Sequence, residues 1–206
     1  RGKLENMGLR SVRKLPGRIL VEFKEPIEWN SIKDKIKNTF GLANASPVYR
    51  TGLSMEELEK TVLLCLDGLK FSSFAVRTKR PNKKFELLSP EVSRQIGSVI
   101  NIKTGAKVDL TNPEKTFRIE ILDREIFFSH ERIQGGGGLP TGISGRATSL
   151  ISGGIDSPVS TWMMMRRGLK VDMVHFHSAP FTDEASIEKV EDVVAKLAEF
   201  QGETKL

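Results

Sequence analysis

The sequence has 206 residues, 38% of them hydrophobic and 28% charged, with 18 Gly and 9 Pro, a balance that excludes disordered, collagen-like and coiled-coil classes and leaves room for one large or two small domains. No apolar run approaches the ~20 residues that cross a bilayer, the opening segment lacks the apolar core of a secretory signal, and a single cysteine cannot make an internal disulfide or a thiolate metal cluster, so a cytoplasmic protein without membrane association is expected. The net charge of +6 is unevenly placed: residues 1 to 146 hold 26 basic and 17 acidic groups and residues 147 to 206 hold 6 and 9, so a polyanionic partner is expected on the first part.

In chain order, Leu9 to Lys14 and Arg18 to Lys24 read as two strands joined at Leu15-Pro16-Gly17. A helix follows with Ile32, Ile36 and Phe40 on one face, closed by Gly41, and then a strand over Ala43 to Arg50. Strand, strand, helix, strand is the back part of a ferredoxin-like unit, whose first strand and helix would precede Arg1 and make this chain part of a longer one. Ser54 with Glu57 three residues on forms a capping box for a helix through Leu66, stopped by Gly68, in which Cys65 is expected as a small core residue. Phe71 to Lys79 reads as a strand, and Ser89-Pro90 caps a helix to about Asn101, with Pro at the first helical position. Lys107 to Leu110, Thr116 to Leu122 and Glu125 to Glu131 are three further strands, which completes a second small α/β unit. Gly135 to Gly145 is too rich in glycine for a regular element and reads as a linker.

Two segments carry chemistry. The first is the stretch from Lys70 to Lys84, where Arg77, Lys79, Arg80, Lys83 and Lys84 occur with no acidic residue and could neutralise phosphates. Phe71, Phe74 and Phe85 accompany them, but aromatics in a strand are expected in the core. The second is the apolar run Ala147 to Ile151, followed directly by Ser152-Gly153-Gly154-Ile155-Asp156-Ser157-Pro158 and a helix to Gly168. Strand, glycine loop and helix N-terminus expose N–H groups and partial positive charge to an anion. Ser152 and Ser157 can donate to the same oxygens, and Asp156 calls for Mg²⁺ between it and a phosphate. No lysine follows the glycines, so the loop is not a Walker A motif, and it is not GxGxxG either.

Val171 to His177 reads as the next parallel strand and Ile187 to Phe200 as a helix with Val190, Val194 and Leu197 inward. Ligands of doubly wound sheets sit past the carboxyl ends of strands, so Leu150 and Ile151 with His175 and Phe176 should wall a nucleotide pocket. His175 and His177 lack a third ligand, which favours pocket lining over metal. Trp162 and Met163 to Met165 read as core filling.

SGGIDS matches the PP-loop of the ATP pyrophosphatases residue for residue. Together with FAVRTKRPNKKF, VDLTNPEKTFRIEI, GGGGLPTGISGR and VHFHSAPFT in this order, the chain resembles the tRNA 4-thiouridine synthetase family, also called the thiamine biosynthesis protein I family. The resemblance implies an α/β chain, α+β in its N-terminal part, with a partial ferredoxin-like domain over residues 1–50 and a THUMP RNA-binding domain over 51–133. A Gly-rich linker over 134–146 and the first βαβα of a PP-loop pyrophosphatase domain over 147–206 complete the implied organisation. It implies an ATP- and Mg²⁺-dependent tRNA sulfurtransferase that adenylates a uridine near position eight of tRNA and releases pyrophosphate. Leu150, Ile151, Ser152, Gly153, Gly154, Ile155, Ser157, His175 and Phe176 would bind the nucleotide, and Asp156 would be the catalytic metal ligand. Arg77, Lys79, Arg80, Lys83 and Lys84 would meet tRNA. The family further implies a cysteine desulfurase as persulfide donor, a homodimer, and sulfur carriage for the thiamine thiazole. Its sulfur-carrying cysteine would lie beyond Leu206, so Cys65 inherits no role. A PP-loop amidating synthetase and a non-catalytic tRNA-binding fragment are the competing readings.

Overall fold

The computed structural model describes residues 7–177 and 184–202 together with Leu4. The chain forms two compact units, one of Arg1–Ala45 with Ile133–Leu206 and one of Ser46–Arg132. Most elements follow from a local sequence signal, with four instructive departures.

In the unit Ser46–Arg132, β4 (Tyr49–Thr51), α2 (Met55–Leu66), β5 (Ser73–Lys79), α3 (Ser89–Thr104), β6 (Lys107–Val108), β7 (Lys115–Ile121) and β8 (Ile126–Ser129) succeed one another. The strands form one mixed sheet in the order β4-β8-β7-β5-β6, with β5 parallel to both β6 and β7 and β8 antiparallel to its neighbours. Four-residue spacing puts Leu58, Val62 and Leu66 on one stripe of α2, and Val92, Ile96 and Ile100 on one stripe of α3. Both stripes are buried in one core with Phe74, Val76, Phe117, Ile119, Ile121, Ile126 and Phe128. Phe71 meets Phe74 and Phe117 edge-on at 6.0 and 5.5 Å between ring centres, and Phe85 packs on the same core. These aromatics are spent on packing rather than on a surface platform.

Helix termini supply two departures. Ser54 Oγ accepts from the Glu57 N–H at 3.3 Å, as a capping box requires, but the Glu57 carboxylate turns further back and accepts from the Gly52 N–H at 2.8 Å. In α3 the cap is Leu88 rather than Ser89, because Glu91 accepts from the Leu88 N–H at 2.6 Å and Ser89-Pro90 already lie in the first turn. The helix continues past Asn101 to Thr104, where Gly105 at φ +70° closes it.

In the other unit, β1 (Leu9–Leu15) and β2 (Arg18–Phe23) form an antiparallel hairpin with Leu15 opposite Arg18. Next come α1 (Trp29–Lys37) and β3 (Asn44–Ala45), and β3 pairs antiparallel with β9 (Ile133–Gln134). Here lies the third departure: the single strand read over Ala43 to Arg50 is two strands in two units, β3 and β4, divided at Ser46-Pro47-Val48. Pro47 has no N–H to give a ladder.

β10 (Arg146–Leu150), α4 (Asp156–Arg166) and β11 (Lys170–Val174) then build a βαβ crossover on a parallel pair, with Leu150 beside Val174, and α5 (Glu184–Gln201) follows. Its core joins Ile151, Met165, Val171, Met173, Val190, Val194 and Leu197 to Phe40, which stacks on Phe200 at 5.2 Å and meets Trp162 at 5.7 Å. The fourth departure is the methionine run: Met165 is fully buried, whereas Met163 and Met164 are 56% and 42% exposed. At 100° per residue three consecutive helical side chains cannot share one core.

The glycine-rich segment is stitched into this unit by main-chain bonds: Gly135 N–H to Ala43 O, Gly137 N–H to Leu42 O, Leu139 N–H to Arg166 O and Ser144 N–H to Gly168 O. A β-carbon on Gly135 would lie 2.3 Å from Leu42 O, and one on Gly138 2.2 Å from Arg166 O. Glycine is needed there for close approach of backbone to backbone.

Candidate nucleotide-binding loop and basic strand

The loop between β10 and α4 is held from beneath by hydroxyls. Buried Thr161 donates to Ser157 O at 2.7 Å and stands 2.6 Å from Ser149 Oγ, which fixes the first turn of α4 on the end of β10. Ser157 Oγ accepts from the Ser152 N–H at 2.9 Å and lies 3.1 Å from Ser152 Oγ, so the two hydroxyls stand close enough to serve one oxygen. Helix α4 begins with Ile155 as its cap and Asp156 as its first residue, and no side chain caps it. The N–H groups of Asp156 and Ser157 have no intrahelical acceptor, since the first turn of any helix leaves them open. Asp156 is exposed and adds a negative group to that positive end.

Neither loop glycine is required by the fold. Gly153 and Gly154 are absent from the residues of positive φ, and a β-carbon on either would meet neighbours only at ordinary contact distance, 3.5 Å or more. A sharp bend therefore does not explain them. What glycine preserves here is an uncovered strip of backbone, open to a ligand that approaches the N–H groups closely. Open N–H groups and two hydroxyls are donors suited to a phosphate, and the single exposed carboxylate of Asp156 is of the kind that holds Mg²⁺ together with phosphate oxygens.

The neighbouring strand end completes this edge. His175 Nδ1 donates to Ile151 O at 2.9 Å, and since a carbonyl only accepts, the proton sits on Nδ1. Its Nε2 is buried without a hydrogen-bond partner among the described residues, the kind of unsatisfied group that a bound ligand could satisfy. Ile151 itself is buried in the core, so it offers backbone only, while Leu150, Ile155 and Phe176 are 64%, 83% and 75% exposed. His177 is exposed. The expected segment beyond it, residues 178–183, lies outside the described residues.

On the other unit the basic strand divides by role. Lys79, Lys83 and Lys84 are exposed, and Arg77 is exposed while donating to Leu110 O. Arg80 turns inward and donates through Nη1 to Phe85 O at 2.7 Å and to Leu87 O at 3.1 Å. Beside it, buried Asn82 receives the Lys84 N–H at 2.9 Å and donates to Leu122 O. Together they shape the loop that presents the lysines. Register places Arg77 next to Arg118 on β7, and Arg118, pushed down by burial and by nearby Arg132, extends the positive face beyond the stripe visible in sequence. Cys65 is half-buried against the core, and burial pushes its thiol up, away from the thiolate a nucleophile needs. Tyr49, stacked on His130 at 5.9 Å between ring centres, is likewise pushed up by burial and by Cys65. No helix among the described residues is long and apolar enough to cross a membrane.

Comparison with known proteins agrees with both halves of this description. Residues 53–131 match the THUMP domain, and residues 142–206 match the family described as thiamine biosynthesis protein (ThiI). A probable tRNA sulfurtransferase of Moorella thermoacetica is 40% identical over all of this chain, which covers 53% of that protein. That of Thermus thermophilus is 38% identical, again over the whole chain and 50% of its own length. The chain thus spans about half the length of these curated relatives. Among solved structures, a 4-thiouridine synthetase in complex with RNA and with bound ATP superposes with a TM-score of 0.87 at 32% identity, over 97% of this chain and 52% of that one. A Pyrococcus horikoshii protein superposes with a TM-score of 0.84 at 26% identity, over 98% and 70%. With a THUMP domain followed by a segment of the ThiI type on the matching α/β fold, the chain belongs to the ThiI family.

Proposed function

We propose that the full-length protein carrying this chain is an ATP-dependent tRNA sulfurtransferase, with residues 147–206 gripping the nucleotide and residues 51–133 holding tRNA. The observation that carries the nucleotide half is the pair Gly153 and Gly154, which the fold does not need and a phosphate does. In this reading the N–H groups of the loop and the hydroxyls of Ser152 and Ser157 hold the pyrophosphate part of ATP, leaving the α-phosphorus open. The O4 of a uridine attacks that phosphorus, the bond to the β-phosphate oxygen breaks, and pyrophosphate leaves from the loop. The outer sulfur of a persulfide then attacks C4, AMP departs with the former O4, and a second thiol attacks the carrier sulfur, breaking the S–S bond to leave the thiocarbonyl on the uridine and a disulfide on the carrier. Positioning of the two reactants and neutralisation of the leaving group supply most of the acceleration. Mg²⁺, held by Asp156 and phosphate oxygens, would spread the charge of the departing pyrophosphate.

Leu150, His175 and Phe176 would border the base at the strand ends. Lys79, Lys83, Lys84 and Arg77 would meet the phosphates of tRNA, reading shape rather than sequence. The sulfur would arrive as a persulfide from a cysteine desulfurase, and Cys65, with its raised pKa, takes no part. The relatives' names and the bound ATP of the solved synthetase support this reading.

The decisive experiment incubates the full-length protein with α-labelled ATP, with and without unmodified tRNA, and resolves AMP from ADP. AMP formed only when tRNA is present is the expected result. ADP, or AMP formed without tRNA, would sink adenylation of tRNA and leave a binding module or an amidating enzyme.

A further inference from the structure

The loop sequence lacks the lysine that many phosphate loops carry, and Asp156 gives it a negative charge of its own. A cation reaches it from elsewhere. Lys189, on α5, lays its side chain over the loop, with Cδ 3.5 Å and Cε 4.0 Å from the position a β-carbon of Gly153 would occupy. The ammonium is a single bond beyond Cε. Among the described residues no ion pair or hydrogen bond engages Lys189, although Asp192 stands three positions along the same helix. The other lysine of that helix behaves differently: Lys196 is held by Glu199, three residues on, at 2.8 Å. Lys189 thus passes over a local partner and packs its stem on backbone that glycine leaves uncovered.

We propose that Lys189 is a phosphate-binding residue of this site, supplying from α5 the positive charge that the loop itself does not encode. Its ammonium, a flexible point charge with three donors, closes over the pyrophosphate portion of ATP and offsets Asp156. The proposal rests on the reading of the loop as an ATP site.

The test measures binding of ATP, inorganic pyrophosphate and AMP to the full-length protein and to its Lys189→Gln and Lys189→Arg variants, with thermal unfolding of each. Lys189→Gln is expected to weaken ATP and pyrophosphate by about tenfold to a hundredfold, the usual worth of one charge-assisted hydrogen bond, while AMP changes by less than about twofold. Lys189→Arg should recover most of the loss, and the unfolding midpoints should coincide because Lys189 is exposed. Unchanged pyrophosphate affinity in Lys189→Gln, alongside a wild type that binds it, would overturn the role of Lys189 and leave the loop reading intact. Parallel loss of AMP binding would also overturn it, as a general distortion of the site. A wild-type protein that binds neither ATP nor pyrophosphate would overturn the loop reading and this proposal with it.

Discussion

Arg80 shows why a basic residue cannot be given a role from its charge alone. Five cations stand between Arg77 and Lys84, and in sequence they are equivalent. In the fold Arg80 spends its guanidinium on Phe85 O and Leu87 O, whereas Lys79, Lys83 and Lys84 remain exposed. A planar guanidinium is suited to bridging two carbonyls, and an ammonium is better left in water. Arg80→Ala should therefore lower stability by about 1.5–3 kcal/mol, the usual loss for hydrogen bonds to a charged group. Lys84→Ala should leave the melting curve unchanged, weaken tRNA binding and reduce the salt slope by about 0.9 if its phosphate lies in a duplex. Calorimetry and a salt titration of tRNA binding check both, and a reversed ranking of the two variants would return Arg80 to the interface. Cys65 is a similar case on the apolar side: it packs against the core that holds Leu66, and the raised pKa of its thiol follows from that burial.

At the scale of elements, two glycine-rich segments of one unit look alike in composition and serve opposite needs. Gly135, Gly136 and Gly138 lie where main chain crosses main chain, so the places of their missing β-carbons are taken by the carbonyl oxygens of Leu42, Thr39 and Arg166. Gly153 and Gly154 lie where no backbone crowds the space, and a β-carbon would meet only the Lys189 stem or Ser152 Oγ at ordinary contact distance. Gly138→Ala should cost about 2 kcal/mol or more, since it combines a left-handed φ of +66° with overpacking. Gly153→Ala should unfold at the wild-type temperature and bind ATP about tenfold or more weakly, through loss of N–H contacts to phosphate. Unfolding scans and nucleotide titrations of both variants are the check; equal destabilisation by the two substitutions would remove the distinction. Periodicity made most elements legible, because α2, α3 and α5 each repeat an apolar residue at helical spacing. It failed at element ends, where Glu57 and Glu91 select partners a residue or more from those the capping pattern names.

At the scale of the molecule, the unit that holds the SGGIDS loop is discontinuous in sequence. Phe40 sits in the core with Met165, Val190 and Leu197, and β3 pairs with β9, so residues 1–45 are structural partners of residues 133–206. Residues 46–132 should unfold on their own in one cooperative transition, whereas residues 133–206 without residues 1–45 should expose their aromatic core, melt at a lower temperature and bind an apolar dye. Dye binding and calorimetry of the two fragments decide this; a stable, dye-free fragment 133–206 would show that Phe40 and β3 are dispensable. The sequence by itself determined the α/β class, the apolar stripes, the SGGIDS loop with its strand and helix, and the basic stretch, because each is a local pattern whose physics acts over a few neighbouring residues. Only the tertiary structure decided which of the cations face solvent, why one glycine run is packed and the other open, and that Lys189 lies over Gly153. Those depend on which backbones and side chains meet across long stretches of chain, and no local pattern carries that information.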